Sequence, residues 1–72
     1  MTLEEMIKKV ETEFPEWEWA LRKDHKRGYL ANIYTEEFRL YSPCYASTPV
    51  AAMMASLEVV KRLEPSIERT SQ

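Results

Sequence analysis

Chemistry needs side chains that ionise, attack or ligate, and this 72-residue chain holds few of the decisive kind. There is one histidine, His25, and one cysteine, Cys44. A nucleophilic pair built from them would need hydrogen-bond reach and a third group to orient the base. His25 falls in a turn-like run and Cys44 in a separate loop, and the reading places them at opposite ends of a small sheet. Metal binding asks for three or four soft or imidazole ligands, and one Cys with one His at unrelated spacing does not supply them. The carboxylates form no spaced dyad, and a chain with a single glycine has no phosphate-cradling glycine loop. We therefore expect no catalytic residues, no metal site and no cofactor.

A different chemistry comes from alternation. If the middle of the chain is extended, one face of its strands carries Arg22, Leu30, Asn32, Tyr34, Arg39 and Tyr41. Tyrosines beside arginines suit a planar, anionic ligand, because the ring stacks on a base and the guanidinium pairs with phosphate. Lys26 and Arg27 belong to the one basic cluster, Arg22–Arg27, and could extend such a site. The same residue types also anchor protein interfaces, and a solvent-facing sheet can carry them without any ligand. A slip of one residue in register would exchange the two faces.

The elements that must position these residues are legible from their punctuation. Thr2-Leu3-Glu4-Glu5 is a capping-box pattern, after which Leu3, Met6, Ile7, Val10 and Phe14 recur at helical spacing until Pro15. Glu16–Asp24 alternates as a strand, Asp24–Gly28 turns, Tyr29–Thr35 forms a second strand and Phe38–Ser42 a third. Gly28 stands where a positive φ is needed. Thr48 and Pro49 open a second helix, with Val50, Met53, Met54, Leu57 and Val60 as its core stripe. Ala51, Ala52, Ala55, Ser56 and Val59 make a second side of mostly small residues. Pro65 is expected to end it. The order α-β-β-β-α implies an α+β two-layer sandwich, a three-stranded antiparallel meander with both helices on one face. Trp17, Trp19, Ile33, Phe38 and Leu40 are expected to lead the inward face. Residues 1–65 would be one domain, and residues 66–72 a polar, frayed tail.

The totals agree with a small binding domain. A net charge of −2 lacks the basic footprint of a duplex nucleic-acid binder. A lone cysteine leaves no internal disulfide and points to a reducing compartment. The N-terminus reads as an amphipathic helix rather than a leader, and no apolar run approaches a membrane span. We expect a cytoplasmic chain, with no membrane partner.

Two resemblances bear on function. The element order resembles the double-stranded RNA-binding domain. That family places lysines at the start of its second helix, where this chain has Pro49-Val50-Ala51-Ala52, and a Gly-Pro-x-His type turn where this chain has Asp24-His25-Lys26-Arg27-Gly28. The stretch Tyr41-Ser42-Pro43 followed by Thr48–Leu57, a Thr-Pro step into an Ala-rich closing helix, resembles small phage proteins of the ABA-sandwich type. That resemblance implies a phage setting, in which tiny cytosolic proteins inhibit a host factor or sequester a nucleotide immune signal as homo-oligomeric sponges.

Together these readings favour a non-enzymatic, self-associating phage-type binding protein that holds a small nucleotide-like signal through Arg22, Lys26, Arg27, Tyr34, Arg39 and Tyr41, countering host defence. The competing reading is an inhibitor that docks on a host protein through the outer sheet face or the small side of the second helix. A divergent RNA-binding domain is the third.

Overall fold

The computed structural model describes residues 1–70, with side-chain surroundings for residues 1–63. Helix α1 spans Leu3–Glu13. The Thr2 hydroxyl accepts the Glu5 N–H at 3.2 Å, and the Glu5 carboxylate accepts the Thr2 N–H at 3.1 Å. This reciprocal box satisfies two of the N–H groups that every helix start leaves open. Met6, Val10 and Phe14 bury one stripe of the helix.

Strand β1, Glu18–Asp24, pairs antiparallel with β2, Gly28–Thr35. The other side of β2 pairs with two short segments in series: β3, Leu40–Tyr41, and β4, Cys44–Ala46. Both segments keep one register against β2, so they are one strand interrupted at Ser42-Pro43. The arrangement is the expected α-β-β-β-α order in an α+β fold, with the third strand broken in two.

Helix α2, Pro49–Thr70, lies across β2 and β4, with α1 beside it. Thr48 caps it, its hydroxyl accepting the Ala51 N–H at 3.1 Å. The core is one cluster of Met6, Val10, Phe14, Ala31, Ile33, Ala52, Met53, Leu57 and Val60, with Trp17, Trp19, Leu21 and Tyr29 packed at its margin. Both helices therefore cover the same face of the sheet. No helix among the described residues is long and apolar enough to cross a membrane.

Four expectations are corrected. The buried stripe of α2 runs through Ala52, Met53, Ser56, Leu57 and Val60, while Met54 is exposed and Val50 half-buried. Of the small residues, Ala52 and Ser56 face the sheet, close enough for the Ser56 hydroxyl to reach the Ile33 N–H, while Ala51 is exposed. Phe38 is not an inward strand residue: it is 43% exposed in the turn before β3, where the Arg39 N–H bonds the Glu36 carbonyl at 3.2 Å. Arg39 is not on the strand either, but ends that turn at φ 54°, a left-handed conformation seldom taken by a residue with a side chain. Lastly, α2 does not stop at Pro65 but continues to Thr70, so the polar tail is helical as far as it is described and residues 71–72 lie outside the described residues. Proline forfeits the one bond to the Lys61 carbonyl, yet its fixed φ is itself helical.

At the break between β3 and β4, side chains replace the ladder. The Ile33 N–H donates to the Ser56 hydroxyl at 3.0 Å, and that hydroxyl donates to the Ser42 carbonyl at 2.7 Å. The Ser42 hydroxyl donates to the Ile33 carbonyl at 2.6 Å, and the Ser42 N–H to the Asn32 side-chain oxygen at 3.0 Å. Ser42 and Ser56 are fully buried, and their oxygens approach to 2.7 Å. Each hydroxyl has one proton. Giving both protons to the carbonyls serves every strand group at the break.

Candidate functional site

Among the described residues, no helix covers the outer face of the sheet. Register sorts its residues into cross-strand rows. Glu18, Tyr34 and Tyr41 form one row, Ala20 and Asn32 the next, and Arg22, Leu30 and Tyr45 the third. Successive rows on one face are two residues apart, so the first and third are separated by about 13 Å.

At the first row the rings of Tyr34 and Tyr41 stack, with centroids 6.0 Å apart and planes 20° from parallel. Tyr41 is 51% exposed. At the third row, Tyr45 is 44% exposed and receives a hydrogen bond from the Arg27 guanidinium at 3.1 Å. The guanidinium carbon also sits 5.0 Å from the Tyr45 ring centre, over its face. That contact draws the exposed Arg27 side chain back over the sheet.

Arg27 is brought there by its turn. Asp24 accepts the N–H groups of Lys26 at 2.9 Å and Arg27 at 2.8 Å, and Gly28 closes the three-residue loop at φ 92°. These bonds, the Lys26 N–H first and then that of Arg27, hold the Asp24 carboxyl below its usual range. A depressed pKa means that the turn's order is complete above the ordinary carboxylate range and is lost as pH falls through the lowered value. We therefore expect the Lys26 and Arg27 amide resonances to shift together below about pH 4, and Asp24→Ala to abolish that titration. Amides that stay put down to acid unfolding would contradict the Asp24 assignment.

Of the residues expected at the site, the structure joins Tyr34 to Tyr41 and places Arg22 in the same row as Tyr45, on whose ring Arg27 rests. It leaves Lys26 exposed at the hairpin tip and puts Arg39 in the turn before β3. Asn32 is partly committed to the Ser42 N–H. The missed residue is Tyr45. Pro43 marks the end of a strand and so sets Tyr45 in a loop by sequence, yet Tyr41, Pro43 and Tyr45 keep the period-two spacing that marks one face.

Neither a family model, nor a curated protein, nor a solved structure matches this chain.

The potential nucleophiles stay apart in role. Cys44 lies nearer the hairpin end than expected, paired with Ala31, but is half-buried on the helix side of the sheet. Burial pushes its thiol pKa up, opposite to the shift an attacking thiolate needs. His25 is exposed at the hairpin tip. Among the described residues no group of three His, Cys, Asp or Glu side chains could hold a metal ion.

Proposed function

We propose that this chain is a non-enzymatic binding protein whose uncovered sheet face holds a planar, anionic, nucleotide-like ligand. The observation that carries the reading is the Tyr34–Tyr41 stack, with Tyr41 exposed, on the same sheet face as an arginine that rests over Tyr45. A base would stack on the tyrosine pair, Glu18 in the same row could accept its amino protons, and phosphates would pair with Arg22 and Arg27. The 13 Å spacing suits a ligand with several phosphates or a second nucleotide. Lys26 and Arg39 lie at the margins of this surface and would add only long-range attraction.

The purpose we assign is sequestration of a nucleotide signal by a homo-oligomer in a phage-infected cytoplasm. Its support is the resemblance of Tyr41–Leu57 to small phage proteins. The same exposed aromatics would equally anchor a host protein, with Phe38 enlarging the apolar area.

Native mass spectrometry of the protein as purified from cells tests both readings. A discrete oligomer with retained mass of nucleotide size is expected. Isothermal titration with the released compound should then show Tyr34→Ala/Tyr41→Ala weakening binding by about tenfold or more, since stacking contributes roughly 1–3 kcal/mol per base. Arg22→Ala/Arg27→Ala should weaken it comparably and reduce its salt dependence. A bare chain that captures a host protein through Tyr41 and Tyr45 would replace the ligand reading with the docking one.

A further inference from the structure

The start of β1 carries a second, chemically opposite surface. Where α1 hands over to β1, Glu11, Pro15, Trp17, Glu18, Trp19 and Tyr34 line a hollow of about 430 Å³. Its walls are three aromatic rings and two carboxylates, and no lysine or arginine lines it. The Trp17 ring is set edge-on to Phe14, with centroids 6.0 Å apart and planes at 70°, so packing fixes its orientation. Trp17 and Trp19 are both half-buried, which leaves part of each indole open to the hollow. Among the described residues, Glu11 and Glu18 form no ion pair, whereas nearby Glu13 is engaged by Lys9 and Lys61.

An indole face attracts a cation through its quadrupole, and the attraction grows as the cation is desolvated. Carboxylates beside the rings supply the opposite charge and accept N–H bonds. Two carboxylates on two elements, lining one hollow with apolar rings, match a chain of methylenes carrying more than one ammonium group. We propose that this hollow is a binding site for a small aliphatic polyamine, with the methylenes over Trp17 and Trp19 and the ammonium groups on Glu11 and Glu18. The proposal does not depend on the nucleotide reading. It shares Tyr34 and Glu18 with that reading, and its ligand carries the opposite charge.

The chain has two tryptophans, and both wall the hollow, so intrinsic fluorescence reads this site directly. The full chain would be titrated with spermidine at constant ionic strength, with sodium chloride of matched ionic strength as the control. A saturable change in tryptophan emission with spermidine and none with salt is expected. Glu11→Gln/Glu18→Gln should raise the midpoint by about tenfold with an unchanged urea unfolding midpoint. Glu37→Gln/Glu58→Gln, which removes the same charge elsewhere, should leave the spermidine midpoint in place. No saturable change, an equal response to matched salt, or equal midpoints in both double variants would overturn the site. A response to a lysine-bearing peptide without one to spermidine would overturn it as well.

Discussion

Replacing Ser56 with alanine should destabilise the fold by about 2–4 kcal/mol, with little change in volume. The hydroxyl sits where the Ile33–Ser42 ladder bond would be, taking the Ile33 N–H and giving its own proton to the Ser42 carbonyl. Removing it leaves the Ser42 carbonyl without that donor and the Ile33 N–H with only the longer 3.3 Å contact to Ser42 Oγ. Each buried polar group left without a partner costs about 1–3 kcal/mol. A chain of this size has of order 5–10 kcal/mol of total stability, so the loss is a large fraction of it. Urea unfolding followed by circular dichroism gives the value. Ser42→Ala should behave similarly, and the double variant should fall short of the summed losses by about 0.5–3 kcal/mol, because both hydroxyls serve one break. A Ser56→Ala loss under 0.5 kcal/mol would mean that water or a backbone shift closes the ladder without it.

The second large effect is at Gly28. An added Cβ would stand 2.4 Å from the Ala46 carbonyl oxygen and 3.1 Å from the Ser47 Cα. Both neighbours are backbone, so neither can rotate away. The residue also sits at φ 92°, where a side chain costs about 1–2 kcal/mol before any contact is counted. Gly28→Ala should therefore cost about 2–4 kcal/mol, with strain and overpacking adding. Its consequence reaches the candidate site, because the displaced Ala46 is the neighbour of Tyr45. The Arg27–Tyr45 contact should be lost with it, visible as a changed Tyr45 ring environment by NMR. A variant with wild-type stability and an unaltered Tyr45 signal would show that β4 yields without cost.

The contrast between Gly28 and Ser56 shows what a sequence displays. Gly28 is the lone residue of its type, closing a turn that an aspartate can cap, and its positive φ is legible because that demand is local, whereas its contact with Ala46 is not. The Thr2–Glu5 box and the shared face of Tyr34 and Tyr41 are legible for the same reason, since each depends on spacing within a segment, whereas their pairing in one row depends on the length of the turn between the strands. Ser56 looked like part of a run of small residues, since its partner Ile33 lies 23 positions away in the chain and across two layers. Phe38 and Arg39 misled in the other direction. Their alternation with Leu40 and Tyr41 fits a strand, but the connection from Thr35 to Leu40 needs four turn residues, and that geometric demand outweighed the pattern. Tyr45 was hidden because a proline in a strand reads as its end.

That proline has a bearing on the chain's behaviour at high concentration. In an antiparallel strand, the backbone groups of alternate residues point to opposite sides. Ser42 turns its groups toward β2, so Pro43 turns toward the outer margin of the sheet, where a third neighbour would add on. With no N–H at that position, the margin has a gap midway in the row of donors that a foreign strand would copy. The exposed tyrosines thus show their faces on a sheet whose β3–β4 edge resists pairing with a foreign strand.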